Sequence, residues 1–308
     1  MKLTVFLEGS PGHEKQSLAI VESLKEFTDL DVTRVHISKT SLWNRIVATL
    51  QYFLKSDGGC KYQVAGSDLL IGTGSSTHIP LLSCKKKFQI PVVTCMAPEA
   101  LLRKRFDLCC IPRHDGISGA PNIILTNGPP VYKSKSVERV ENVGLILLGG
   151  IDASSHTWDD NAIASYVSAI AHDSSNIQWR VSSSPRTPDR TIKCMGEIAK
   201  THNNVSFFHY KDTPAGWVEE QYALASYAWV TADSMSMIYE AITAGCSVGV
   251  LPVEWKRPNN KFQKSLDHLI EKNFILPYEE NRKLLIRNNI DALDEAAKCA
   301  REILARFA

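Results

Sequence analysis

The chain has 308 residues, 44% of them hydrophobic and 22% charged, with a net charge of +2. That length exceeds what one hydrophobic core ordinarily serves, so two domains are expected, and the composition excludes a disordered chain. So small a net charge gives no footing for a nucleic-acid partner, and no apolar stretch approaches the ~20 residues of a membrane span.

The N-terminus, MKLTVFLEGSPGHEKQ, lacks a long apolar h-region and reads as a first strand, not a signal peptide. Short apolar runs at 3–7, 31–37, 69–71, 92–95, 108–111 and 123–125 predict strands. The stretches between them, 13–27, 41–55, 77–88 and 99–106, carry helical patterns. The runs are continuous instead of alternating, as in parallel strands covered on both faces. Residues 127–141, rich in proline and charge, read as a connection. The alternation then restarts with strands at 143–150, 177–181, 205–208, 228–231 and 247–251. Helices are expected at 162–171, 192–201, 217–225 and 235–244, with a last amphipathic one at 290–307. The fold class is therefore α/β: two Rossmann-like domains facing a central cleft, 1–138 and 139–308, with helix 290–307 free to pack back on the first.

Eight cysteines form no CxxC pair and lie mostly in apolar runs, which suits buried reduced thiols in a cytoplasmic protein. Asp29 and Asp31 make the one Asp-x-Asp spacing of note, at the start of a strand, the wrong edge for a diphosphate-bound cation. No metal site and no cofactor are expected.

Ligands of such sheets sit beyond the carboxyl ends of the strands, so the loops there carry the functional reading. In the second half, Gly149-Gly150 allows close backbone approach, although such a pair also serves as a plain turn. Ser184, Arg186 and Thr187, ahead of Pro188, suit a phosphate, or a capped helix with a solvated arginine. Asp233, Ser234, Met235 and Ser236 open a helix that carries Glu240 about one turn in. A serine cap accounts for one hydroxyl, not for two with both carboxylates. Helix-end amides for a diphosphate and a carboxylate for ribose hydroxyls would make this one wall of a nucleotide-sugar site. In the first half, the loop 8–16 has neither GxGxxG nor GxxxxGK[ST] spacing. Gly74 and Ser75 form a second small polar loop, and His13 and His114 are the histidines best placed as bases.

Several stretches carry a resemblance: GSPGHEKQSLAI, FDLCCIPRHD, LLGG, SSPRTP and VTADSMSMIYEA, in order over nearly the whole chain. They resemble the family named after the plant mitochondrial-fission factor "elongated mitochondria", whose bacterial members include lipooligosaccharide outer-core glycosyltransferases. Pro185 departs from the second arginine that the family commonly has there. GSPGH is also similar to the first loop of the lipid-linked N-acetylglucosamine transferase of peptidoglycan synthesis, where a histidine sits near the acceptor. The resemblance implies a GT-B fold with a nucleotide-sugar donor in the second half, and the lack of an acidic pair at the strand ends there makes the expected glycosyltransferase metal-independent. Its acceptor would be a lipid-linked saccharide at the inner face of the cytoplasmic membrane. On that reading His13, then Asp115, serves as base if the reaction inverts configuration, whereas a retaining one needs no such base, with Gly12, Gln16, Gly74, Ser75 and His114 on the acceptor side. A sugar-nucleotide epimerase and a non-catalytic membrane-recruited adaptor are the alternatives.

The stretch 41–55 carries more apolar surface than packing on a sheet requires. Either all of it is core, or the surplus, with Lys39, Arg45 and Lys55, meets an anionic leaflet, joined by Lys85-Lys86-Lys87 and Arg103-Lys104-Arg105.

Overall fold

The computed structural model describes residues 1–38, 41–133, 139–279 and 293–308; Lys39 lies outside them. The chain divides into two compact units, Met1–Lys133 with Asp294–Ala308, and Ser134–Leu293.

The first unit runs β1 (Lys2–Leu7), α1 (Pro11–Phe27), β2 (Asp31–His36), α2 (Leu42–Leu54), β3 (Leu69–Gly72), α3 (His78–Phe88), β4 (Val92–Thr94), α4 (Ala100–Arg103), β5 (Leu108–Pro112) and β6 (Ile123–Thr126). Its strands form one parallel sheet in the order β2-β1-β3-β4-β5-β6. The continuous apolar runs have the expected cause, because each strand feeds two cores. Leu3, Val5, Leu7, Leu69 and Ile71 pack on one face with Ile20 and Leu24 of α1. Phe6, Leu70 and Ile111 pack on the other with Leu81 of α3. Helix α4 is only four residues long, shorter than the expected 99–106.

The second unit runs β7 (Val140–Leu147), β8 (His156–Thr157), α5 (Asp160–Asp173), β9 (Gln178–Ser182), α6 (Asp189–Thr201), β10 (Val205–Phe208), α7 (Trp217–Leu224), β11 (Ala225–Thr231), α8 (Met235–Ala244), β12 (Ser247–Leu251), β13 (Glu254–Trp255), α9 (Lys261–Glu271) and β14 (Ile275–Pro277). Its parallel sheet has the order β10-β9-β7-β11-β12-β14. Two bulky strand residues face glycines: Trp179 pairs with Gly144 and Trp229 with Gly249. A Cβ on either glycine would lie 2.3 Å from the indole opposite, so only glycine leaves room for the ring.

The last helix, α10 (Glu295–Phe307), belongs to the first unit although it follows the second in the chain. Cys299, Ala300 and Ile303 complete the α1-side core. Glu295, 4% exposed, accepts from the Asn127 amide, and Lys298 donates to the Leu125 carbonyl. Among the described residues no helix is long and apolar enough to cross a membrane.

Candidate functional site

In each sheet the chain leaves its first strand in one direction, then returns to build the other side. The reversals fall at β1/β3 and at β7/β11, and crevices at the carboxyl ends there are where α/β sheets take ligands.

At the second reversal three loops converge, because β7 lies between β9 and β11. The Gly149 amide donates to Thr231 Oγ1 at 2.8 Å and the Gly150 amide to Asp233 Oδ2 at 3.1 Å. Both amides of the pair are therefore engaged inside the protein, which corrects the expectation that they are offered to a ligand. The glycines are needed for another reason. A Cβ on Gly149 would lie 2.1 Å from Asp233 Oδ2, and one on Gly150 2.0 Å from the Arg186 carbonyl oxygen. The loops close on one another only without side chains there.

Ser184 and Thr187 are buried, and both hydroxyls donate to the Gly149 carbonyl, at 2.7 and 2.5 Å. They knit the loop after β9 to the loop after β7 and do not point outward as phosphate ligands. Arg186 stays half-exposed: Nη2 donates to Asp233 Oδ2 at 2.8 Å and to Ser234 Oγ at 3.2 Å, and Nη1 to the Gly150 carbonyl at 3.3 Å. Asp233 is its buried counter-charge, with a side chain 1% exposed. Asp233 Oδ1 has no hydrogen-bond partner among the described residues.

Ser234 stands at the N-cap of α8, yet its side chain caps no amide. Its hydroxyl is drawn sideways to Arg186 and Asp233, so the first turn of α8, with Met235 and Ser236, keeps its amides for something else. Glu240 is half-buried further along the same helix. The nearby Tyr222 phenol donates to the Met237 carbonyl at 3.2 Å and is pushed well above its ordinary pKa by burial first and by the Glu240 carboxylate second. His156, which no sequence feature marked, is buried and bonds the Gly150 carbonyl through Nε2 at 3.0 Å.

At the first reversal the central residue is Glu8, which no sequence feature singled out. It is 5% exposed; its Oε1 lies 2.6 Å from His13 Nδ1, and its Oε2 accepts from the Ser76 amide at 3.0 Å. Gly74, at φ +109, is what lets it in: a Cβ there would sit 2.2 Å from the Glu8 carboxyl carbon. The legible signal was a carboxylate ending a buried strand five residues before a histidine. Gly12, exposed, and Gln16, half-buried, lie in the first turns of α1, with Gln16 bonded back to the Gly12 carbonyl. His114 and Asp115 occupy a 3₁₀ turn after β5, 3.8 Å apart. Strands β1 and β5 are three spacings apart, ~14 Å, so His13 and Asp115 rise from separate places along the sheet edge.

A third cluster is likewise unmarked in the sequence. Glu99 bridges Arg45 and His78, with Oε2 3.2 Å from His78 Nδ1. The hydrogen bond from His78, more than the charge of Arg45, holds the Glu99 carboxyl down at about 2.

A family model described as mitochondrial fission ELM1 matches residues 11–307. The chain belongs to the mitochondrial fission ELM1 family. No curated protein sequence matches this ELM1-family chain. Among solved structures it is similar to a Listeria monocytogenes protein described as a UDP-N-acetylglucosamine 2-epimerase, at TM-score 0.61 and 14% identity, over 99% of this chain and 95% of that one. It is similar to MurG of Acinetobacter baumannii at TM-score 0.54 and 12% identity, over 99% of each chain. The glycosyltransferase SnogD of Streptomyces nogalater gives TM-score 0.53 and 13% identity, over 100% of this chain and 96% of that one. What this ELM1-family chain shares with them is the fold, the GT-B architecture of glycosyltransferases and sugar-nucleotide epimerases.

Proposed function

We propose that the protein is a metal-independent glycosyltransferase that moves a sugar from a nucleotide-sugar donor to a glycolipid acceptor of the cell envelope, of the lipopolysaccharide or lipooligosaccharide core class. The observation that carries this reading is the convergence at the β7/β11 reversal. There an uncapped α8 N-terminus stands beside Arg186, which a buried carboxylate holds in place. Helix-end amides and a guanidinium are the groups that bind a diphosphate without a metal. Glu240, on the same helix, is assigned to the ribose hydroxyls.

In the transfer, the acceptor hydroxyl oxygen forms a bond to the anomeric carbon as the bond from that carbon to the diphosphate oxygen breaks. The electron pair leaves with the nucleoside diphosphate, whose charge α8 and Arg186 stabilise. The hydroxyl proton passes to His13 Nε2, and Glu8 on Nδ1 keeps the ring in the tautomer that accepts it.

The experiment incubates the purified protein with a panel of nucleotide sugars, with and without a lipid-linked core saccharide and with and without EDTA. Nucleotide release that needs the acceptor and survives the chelator supports the reading. Isomerised donor without acceptor would make the protein an epimerase, and no turnover or binding of any donor would make it an adaptor. Activity lost to EDTA and restored by Mn²⁺ would overturn the leaving-group assignment.

A further inference from the structure

In the first unit two cavities meet among α2, α3 and α4. One, of about 350 Å³, is bordered by Arg45, Gln51, Lys61, Tyr62, Ser75 and Ser76. The other, of about 320 Å³, is bordered mainly by apolar side chains, including Ile46, Leu50, Leu101 and Leu102. Val47, Ala48 and Pro80 also border the first, and Arg45, Ser75 and Ile79 border both, so a cavity of mixed lining and a more apolar one share one wall. That is the shape of a site for a molecule with a polar head and an apolar tail.

The charges fit an anionic head. Glu99 answers the charge of Arg45, but Lys61 is exposed and pairs with no carboxylate among the described residues. His78, 1% exposed, borders the apolar compartment, and its Nε2 has no partner among the described residues.

The apolar compartment continues onto the surface. Six of the eleven exposed large hydrophobics among the described residues lie on α2, including Trp43 at 71%, Leu50 at 57% and Leu54 at 83%, with Leu101 of α4 at 65%. Such a concentration marks an interaction face, unlike scattered single residues. It also decides against α2 as wholly core. Exposed cations stand beside it: Lys55 at the C-cap of α2, and Arg105, 4.7 Å above the Phe53 ring. Lys85, Lys86 and Arg103 are otherwise occupied, donating to Asp107 and to backbone carbonyls. An apolar stripe with cations beside it complements an anionic bilayer surface.

We propose that this face takes an anionic lipid from a membrane surface, its chain along the apolar compartment and α2 and its head group in the compartment between Arg45 and Lys61. The Ser75-Ser76 loop that borders the head-group compartment is the loop whose amide Glu8 holds. Calling this lipid the anchor of the acceptor rests on the glycosyltransferase reading; the lipid site itself does not.

The test uses the full chain without nucleotide. Binding is measured to phosphatidylglycerol and phosphatidylcholine vesicles, and to a short-chain phosphatidic acid below its micelle concentration against glycerol phosphate. The expected result is salt-sensitive binding to the anionic vesicles only, with the short-chain lipid bound at least tenfold tighter than its head group. Lys61→Ala should weaken binding about fivefold, and Leu50→Ser with Leu101→Ser about tenfold or more, with melting temperatures unchanged because all three positions are exposed. Equal binding to both vesicle types, head group alone bound as tightly as the lipid, no binding at all, or variants that bind like wild type would each overturn the proposal. Sugar transfer to a soluble acceptor needs no lipid site and is measured without vesicles, so the two readings fail separately.

Discussion

Replacing Arg186 by alanine should destabilise the second unit out of proportion to the contacts removed. The Asp233 side chain is 1% exposed and that of Arg186 is 43% exposed, so the substitution removes a half-solvated cation and strands a buried anion. Oδ2 loses the 2.8 Å bond from Nη2 and keeps the Gly150 amide at 3.1 Å, while Oδ1 has no partner from the start among the described residues. Breaking a fully buried pair costs ~3–5 kcal/mol; water and salt reaching Arg186 reduce the expectation to about 1.5–3 kcal/mol. Adding Asp233→Asn removes the stranded charge while leaving an oxygen for the Gly150 amide, so the double variant should recover roughly half of that loss. Urea unfolding of wild type, both single variants and the double variant gives the coupling, provided the slope stays constant across the set. A coupling near zero, or Arg186→Ala within ~0.5 kcal/mol of wild type, would refute the claim that Asp233 is what holds Arg186 in place.

Glu8→Gln should cut acceptor-dependent turnover about 10²-fold and leave nucleotide affinity unchanged by calorimetry, because the partners of Glu8, His13 and the Ser76 amide, belong to the first unit. Gly149→Ala should cost about 1–3 kcal/mol in unfolding free energy, since its Cβ would lie 2.1 Å from the buried Asp233 carboxylate; wild-type stability would contradict the packing described. Glu240→Ala should weaken nucleotide binding by ~1.5–3 kcal/mol in a folded protein, and unchanged affinity would remove it from the ribose role. Glu99 has a folded-state value of about 2, below its unfolded one, so its contribution is present above the unfolded value and lost as pH falls towards 2. Stability titrated from about pH 5 to 2 should therefore fall less steeply in Glu99→Gln than in wild type.

Most strands and helices were legible because their signal is local, an apolar run of strand length between amphipathic stretches, whereas β14 at the sheet edge and the two-residue β8 and β13 are too short to carry it. The expected strand at 205–208 and helix at 235–244 have the observed bounds. Helix α9 is not among the expected elements although its start is written in the chain, where Asn260 and Gln263 form a reciprocal capping box. The length of α4 was not legible, since four residues carry too little periodicity to define an end. The loops of the second unit could be identified as functional, but not which of their groups face inward. Ser184 and Thr187 are the same residue types whether they hold a phosphate or the Gly149 carbonyl, and only the three-loop packing decides. Glu8 and the Arg45–Glu99–His78 cluster were missed for a related reason: their partners lie up to 68 residues away in the chain.

A non-catalytic adaptor built on this fold would need neither of the two buried acids. Burying a carboxylate costs several kcal/mol before any bond is made, and a well-packed apolar replacement is often neutral or stabilising. Glu8 and Asp233 nonetheless sit one at each sheet reversal, 5% exposed for the whole residue and 1% for the side chain. Each spends its hydrogen bonds in the same way: one oxygen or more on a neighbouring loop amide, and a bond to a side chain more than a third exposed, His13 or Arg186. Holding a loop needs only the amide bond, which a neutral asparagine or glutamine supplies. A full negative charge is required only where the exposed partner must be kept oriented, and in the tautomer or pose that a ligand would meet. That pattern, twice over on separate sheets, favours working sites over a scaffold that has kept the shape of an enzyme.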